Sequence, residues 1–382
     1  MKYRRLGKTD LMVSEIGFGG EWLERHEEAE SVSLIRYAHH LGVNIIDCWM
    51  PDPKSRDIIG KGISEDRTGW IVQGHIGSTY QGGQYTRTRD AAQCRAAFDD
   101  LTARLGTDYI DLGMIHYVDT EKDWETVSAP GPYLDCVKEL KARGTVRHVG
   151  LSTHNPVIAR KAAESGLVEM ILFSVNPAFD LMPPTDDIEN YFADAYDEAL
   201  KGIDPVRADM YRTCERQDVG VTCMKPYAGG RLFDARRSPF GVALTPVQCI
   251  HYCLTRPAVA SALCGYDTKE QIDAAVAYET ADDKEKDYAV TLAGAPKHTF
   301  AGGECTYCGH CSPCPAGIDI AMVSKLYDLA VMQEEVPASL KAHYLSLPRR
   351  AEDCVGCRQC ESRCPFGVGI AERMKKTANL FS

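Results

Sequence analysis

Two cysteine runs near the C-terminus carry the most specific chemistry in the chain. The first is Cys305, Cys308, Cys311 and Cys314, ending at Pro315; the second is Cys354, Cys357, Cys360 and Cys364, ending at Pro365. In each run three closely spaced thiolates can wrap one iron–sulfur cube, and the fourth, beside proline, reaches the other cube. The spacing therefore predicts two [4Fe-4S] clusters with these eight sulfurs as ligands. Thiolates in fours also suit tetrahedral zinc, but zinc has no need of paired Cys-Pro ends or of a triple Cys-x2 rhythm. Disulfides fit poorly, because neither a secretory signal nor a small secreted framework accompanies the cysteines. The first run departs from the usual pattern in having two residues, not three, before its fourth cysteine. The other eight of the 16 cysteines are scattered through apolar contexts, as buried thiols in a reducing, anaerobic cell would be.

The elements that must position this chemistry come in two blocks. Short apolar runs at 15–18, 44–47, 70–74, 110–115, 148–151, 170–174, 220–224 and 260–264 alternate with helical stretches. Runs buried on both faces and joined by helices make parallel strands, and eight of them close into a barrel. The helix before residue 110 shows the period: Cys94, Ala97, Phe98, Leu101 and Leu105 share a face between Asp90 and the stop at Gly106. Residues 280–288 read as a solvated helix or linker, and Gly302-Gly303 opens the cysteine block. There Met322, Val323, Leu326 and Ala330, and later Ile370, Met374, Ala378 and Phe381, keep helical spacing. The fold class is thus α/β: a (β/α)8 TIM barrel over 1–295, then a small α-rich two-[4Fe-4S] ferredoxin-type domain over 296–382. Residues 183–210 form an extra polar segment expected over the barrel mouth, as a lid or as an inert loop.

Charge excludes some partners. With 43 Lys and Arg against 54 Asp and Glu, the net charge is −11, so nucleic acid is not expected. No apolar run reaches about 18 residues, and the charged N-terminus lacks an apolar core, which together predict a cytoplasmic protein with no membrane partner. An acidic ferredoxin would need a local basic patch, around Arg349-Arg350 or Lys375-Lys376, to dock.

The opening Tyr3-Arg4-Arg5-Leu6-Gly7-Lys8-Thr9-Asp10 with Val13-Ser14-Glu15-Ile16-Gly17-Phe18-Gly19-Gly20 resembles the start of an aldo/keto reductase. So do Leu41-Gly42-Val43-Asn44-Ile45-Ile46-Asp47, the stretch Leu105 to Leu112, His148-Val149-Gly150-Leu151-Ser152 and Met224-Lys225-Pro226-Tyr227-Ala228-Gly229-Gly230. The resemblance covers the whole chain, since one branch of that family carries a C-terminal two-cluster ferredoxin domain whose first run has this shortened spacing. It implies a catalytic Asp, Tyr, Lys and His at the barrel mouth. Ungapped alignment places Asp47, Asp52, His75 and His116 there, so the tyrosine and lysine roles have changed residue type. A tyrosine hydroxyl would have to reach in from elsewhere, from Tyr80 or Tyr117. Asp47, His75 and His116 remain at strand ends and form a proton-transfer set. A histidine at a strand end is also often a hydrogen-bonded structural residue, and Asp52 between two prolines is equally a rigid turn residue.

The nicotinamide site implied by the resemblance is eroded. Ser152 survives, with Asn155 nearby, but Leu172 stands where a glutamine would fall. Lys269, beside two acids, would neutralise a 2′-phosphate poorly. Lys225 and the loop Gly229-Gly230-Arg231 could cradle a pyrophosphate, although glycines after a barrel strand are more often turn residues. Whether NAD(P)H or a flavin binds stays open. Three functions follow. The first is an iron–sulfur oxidoreductase in which clusters relay electrons to or from a carbonyl- or enone-like small-molecule substrate or a cofactor, with an external ferredoxin or flavoprotein as donor. The second is an NAD(P)H-dependent carbonyl reductase with an atypical proton donor. The third is a catalytically inactive barrel serving as electron carrier or docking protein.

Overall fold

The computed structural model describes residues 1–21, 23–187, 202–295, 303, 305, 307, 311–333, 335–364 and 367–382. Eight parallel strands close on themselves in chain order: β1 (Ile16–Gly19), β2 (Ile45–Cys48), β3 (Ile71–Ile76), β4 (Ile110–Ile115), β5 (Val146–Thr153), β6 (Met170–Ser174), β7 (Gly220–Met224) and β8 (Val259–Cys264). The closing pair is β8 with β1, with Ala262 opposite Ile16. Helices follow the strands and cover the barrel, as parallel strands require. The helix Ala91–Leu105 is capped by the Asp90 side chain, which accepts from the Gln93 N–H at 2.8 Å, and it ends at Gly106 in the left-handed region.

Period-two alternation decides what fills the barrel. Along β2 the inward residues are Ile45 then Asp47; along β3, Ile71, Gln73 and His75; along β4, Leu112 and Met114, with His116 just beyond. The lower layers are apolar: Ile45, Ile71, Leu112, Met114, Met170, Leu172, Ala260 and Leu263 form one cluster with Leu6 and Val13. Those last two come from the N-terminal hairpin (Tyr3–Arg5 with Met12–Ser14), which closes the floor. It lies so near β7 that a Cβ on Gly220 would come within 2.6 Å of the Leu6 carbonyl carbon, so only glycine fits. Polarity rises toward the other end, where Asp47, Gln73, His75 and His116 are all buried.

The C-terminal helices Ile320–Ala330 and Ile370–Phe381 match the predicted periods, and a further helix, Ala338–Leu345, lies between them in the chain. They adjoin the helix Pro205–Arg216 through Lys325 and Glu215, 2.7 Å apart. A cleft between this domain and the floor is lined by Arg5, Gly220, Ala260, Lys325, Leu329 and Leu340. The cysteine domain thus sits beside the barrel end opposite Asp47 and His75. Strands of this length separate floor and mouth by roughly 15–20 Å. Half of the proposed lid over 183–210, residues 188–201, lies outside the described residues, and from Pro205 the segment is the start of the helix Pro205–Arg216. Among the described residues no helix is long and apolar enough to cross a membrane. The eight scattered cysteines are all buried, and burial pushes the thiols of Cys48, Cys94 and Cys214 up to about 12, which keeps them protonated and inert.

Candidate active site

At the mouth, Asp47, His75 and His116 form a continuous hydrogen-bonded chain. His75 Nε2 lies 3.0 Å from Asp47 Oδ1, and His75 Nδ1 lies 2.8 Å from His116 Nδ1. Asp47 Oδ1 also accepts from Gln73 Nε2 at 3.0 Å, and Gln73 Oε1 accepts from the Thr222 hydroxyl at 2.8 Å. The far end of the chain holds a residue that alignment to the family does not supply: the Tyr85 hydroxyl is 2.9 Å from His116 Nε2. A tyrosine does reach in, but it is neither Tyr80 nor Tyr117.

Tyr85 comes from a hairpin, Ser78–Gln81 with Gln84–Arg87, inserted directly after β3. Gly82 and Gly83 both have positive φ, 57° and 82°, as a tight two-residue turn demands. Arg87 and Arg89 clamp the hairpin down: both bond Asp123, and Arg89 also donates to the His116 carbonyl at 2.7 Å. Trp49 lies parallel to the His116 ring, 6.1 Å away, and edge-on to Tyr85 at 5.6 Å. The result is an aromatic slot with one phenol at its lip.

Partners fix the tautomers. With Asp47 as an acceptor, His75 donates from Nε2 and, when neutral, accepts at Nδ1 from His116. His116 then has only its Nε2 lone pair left, which accepts from Tyr85. Burial, then the neighbouring His75, holds the His116 pKa well below the usual imidazole value, so this ring is neutral near pH 7. Burial also raises the Tyr85 pKa against the opposing pull of Arg87 and Arg89, so the phenol keeps its proton.

A second carboxylate–imidazole pair lies beside the first. His154 Nδ1 is 2.8 Å from Asp119 Oδ2, and Lys225 Nζ is 3.3 Å from His154 Nε2. Burial lowers the His154 pKa, with Asp119 opposing it. In the unfolded chain both histidines protonate near pH 6.5. The unfolded state therefore binds more protons below that pH, and stability, full above about pH 6.5, falls as pH drops further. Thermal melts from pH 7.5 to 5.5 are expected to show this decline, and His116→Gln to flatten it by about one proton. An unchanged slope would mean that His116 is not held neutral.

Other predicted site residues are engaged differently. Asp52 caps a helix: its Oδ1 accepts from the Lys54 N–H at 2.9 Å and the Ser55 N–H at 3.2 Å, opening the helix Pro53–Ile63. Ser152 Oγ accepts from the Tyr117 N–H at 2.8 Å. Asn155 caps the helix Pro156–Ser165 and donates to the Asp119 carbonyl and to Asp186. Asn155 is thus committed within the protein, while Ser152 is engaged as an acceptor. Gly229 and Gly230 have positive φ, and the N–H groups of Gly230 and Arg231 donate back to Tyr227 and Ala228, which makes this loop a set of turns. Lys269 lies over the Tyr37 ring, 5.2 Å from its centroid.

In the C-terminal domain, Cys314 of the first run lines one cavity with Cys354, Cys357 and Cys360 of the second. Pro315, Ile318, Ile320, Ile370, Ala371 and Met374 complete its wall. Four thiolates around an apolar cavity are a donor set that suits an iron–sulfur cube. Cys364 is outside that set and its sulfur accepts from the Val368 N–H at 3.4 Å. Arg363 donates to the carbonyls of Cys311 and Pro313, tying the runs together. Cys308 lies outside the described residues.

An eight-stranded barrel with titratable groups at the C-terminal strand ends is the architecture of a barrel enzyme. A family model described as Aldo/keto reductase family matches residues 15–243, and one described as 4Fe-4S dicluster domain matches 304–368. The chain belongs to the aldo/keto reductase family and is an oxidoreductase with an iron–sulfur domain. It is 27% identical over 290 residues to the uncharacterized oxidoreductase YqkF of Bacillus subtilis, spanning 71% of this chain and 89% of that one. It is 29% identical over 161 residues to L-galactose dehydrogenase of Arabidopsis thaliana, 40% of this chain and 48% of that one. The holo form of aldo-keto reductase AKR11C1 from Bacillus halodurans shares the fold, with a TM-score of 0.57 at 21% identity over 75% of this chain and 94% of that one.

Proposed function

We propose that this protein is an iron–sulfur oxidoreductase that reduces a carbonyl- or enone-like small molecule in the barrel mouth, with Tyr85 as the proton donor. The chain from Asp47 through His75 and His116 to Tyr85 is the observation that carries this reading. In its resting form every proton points toward Asp47. One extra proton, held on His75 as an ion pair with Asp47, reverses the order: His75 Nδ1 then donates to His116, His116 Nε2 to the Tyr85 oxygen, and the phenol to the substrate oxygen. After that transfer both histidines are neutral again beside the Asp47 carboxylate, one proton from solvent recharges His75, and the second of the two protons that a two-electron carbonyl reduction consumes comes from solvent by the same route. Gln73 and Thr222 hold the Asp47 carboxylate in place, and we give Asp52 no part in the transfer.

Two [4Fe-4S] clusters are assigned to the C-terminal domain, taken as 296–382 with the barrel as 1–295. Cys305, Cys308, Cys311 and Cys364 hold one; Cys354, Cys357, Cys360 and Cys314 hold the other. When bound, they supply single electrons to the substrate or to a second cofactor in the mouth, across the height of the barrel.

A second reading, nicotinamide-dependent carbonyl reduction, gains from the same geometry, because Tyr85 restores the proton donor that alignment lacked. The two separate under nitrogen, with aldehydes, 1,2-dicarbonyls and enones as substrates. Turnover driven by reduced methyl viologen, with no saturable binding of NADH or NADPH, is the expected result. Saturable NADPH binding with turnover from NADPH alone would replace the first reading by the second.

A further inference from the structure

We propose that Arg212 is the barrel's positioning residue for the cluster of Cys305, Cys308, Cys311 and Cys364, which makes that cluster the inner one of the pair and the cluster of Cys354, Cys357, Cys360 and Cys314 the outer one. The proposal rests on the cluster assignment and the electron-relay reading above. Two ion pairs fix the geometry. Lys325 Nζ lies 2.7 Å from Glu215 Oε1, and Arg212 Nη2 lies 4.0 Å from Asp328 Oδ2. The pairs are three residues apart in each helix and in opposite order, so Ile320–Ala330 runs antiparallel along Pro205–Arg216, from the barrel floor toward the mouth.

Each cysteine run meets a different end of Ile320–Ala330. The second-run cavity is lined by Ile318 and Ile320, at the floor end. The first run reaches the other end through Tyr307, whose hydroxyl donates to Asp328 Oδ2 at 2.7 Å, the same oxygen that faces Arg212. Tyr307 holds φ at 57°, a left-handed conformation that a tyrosine adopts only under constraint. From Ile320 to Asp328 is about 12 Å along the helix axis. On the barrel side, Arg207 donates to the Ser174 carbonyl at 2.6 Å, at the mouth end of β6, and Arg212 lies roughly 7–8 Å further down the same helix. The first-run cluster therefore stands against the barrel wall, and the second-run cluster stands farther from the mouth. Arg373 also bonds Asp328, so two guanidiniums share one carboxylate, and Asp209, the next acid on the barrel helix, is held by Arg160 at 2.7 Å. That local positive charge stabilises the charge added when the inner cluster is reduced. At the outer cavity Arg358 is balanced by Glu361, 4.0 Å away, and the wall opens to solvent at Val355, 72% exposed, beside exposed Cys357. One electron entering there oxidises the outer cluster again as it reduces the inner one, with no bond made or broken.

Anaerobic potentiometry of the iron-loaded full chain, followed by electron paramagnetic resonance, tests this without substrate. Arg212→Gln is expected to shift the reduction equilibrium of one component, the component lost in Cys364→Ser, about tenfold toward the oxidised form, or 59 mV for a one-electron couple. The component lost in Cys314→Ser should move far less, and iron content should hold. If Arg212→Gln loses iron, Tyr307→Phe, which keeps the ring and removes the hydroxyl on Asp328, carries the same component-specific shift at reduced size. A dysprosium chelate in solution should speed the spin relaxation of the cluster remaining in Cys364→Ser several-fold more than that of the cluster remaining in Cys314→Ser. No shift, an equal shift in both components, a shift confined to the second-run component, or a first-run cluster more open to the chelate overturns the proposal. Wild-type protein without iron removes the cluster assignment and this proposal with it. Turnover from NADPH alone strikes the relay reading instead, while these potentials still decide the place of Arg212 beside the first-run cluster.

Discussion

Tyr85→Phe is expected to lower kcat for the carbonyl substrate by about 10²–10⁴-fold, the usual worth of a positioned general acid. The change deletes one oxygen from a residue on a solvent-facing hairpin, so iron content and melting temperature should stay near wild type. The ring remains to pack edge-on against Trp49. Tyr80, directly across the hairpin from Tyr85, is the internal control: Tyr80→Phe keeps the hairpin and touches no histidine of the chain, so its kcat should hold. His116→Ala should cost about as much as Tyr85→Phe, and the double variant little more, because a wire broken twice is broken once. Steady-state kinetics on the four proteins at one pH reads all of this. Equal kcat in wild type and Tyr85→Phe would take the phenol out of the reaction.

Cys314→Ser is expected to deplete the same cluster as Cys354→Ser, although the two residues are forty positions apart and in different runs. The reason is geometric: Cys314 faces the cavity of the second run. Iron should fall from about eight to about four atoms per chain, and the lost spectral component should be identical in the two variants. Cys364→Ser should remove the other component. Electron paramagnetic resonance of the reduced proteins distinguishes the two. Loss of the first-run component in Cys314→Ser would mean that each run binds its own cluster.

Much of this molecule is legible in its sequence, for reasons that also mark where legibility ends. The strands at 110–115, 170–174 and 220–224 fall where the apolar runs place them, because a strand buried on both faces has nowhere else to put Ile, Leu, Val and Met. Asp47, His75 and His116 come from alignment to the resembled family, and their places at strand ends on one face of a barrel are why they meet. Tyr85 does not, since ungapped alignment puts Asp52 at its position and the hydroxyl arrives on an inserted hairpin. A local signal was present: Gly82-Gly83 between Tyr80-Gln81 and Gln84-Tyr85 is a strong hairpin cue. What no local signal gives is the direction in which that hairpin folds, which Arg87, Arg89 and Asp123 decide. Gln73 and Thr222 were missed for a different reason. Each is a polar residue at an inward position of an apolar strand, visible only once the alternation along β3 and β7 is phased against the barrel axis.

Nitrogen-15 NMR of histidine-labelled protein, anaerobic and near pH 7, tests the proton chain without any substrate. The arrangement predicts a neutral His116 with its proton on Nδ1 and a bare Nε2 whose shift moves markedly in Tyr85→Phe. A doubly protonated His116, or an Nε2 signal indifferent to the loss of the Tyr85 hydroxyl, would contradict it.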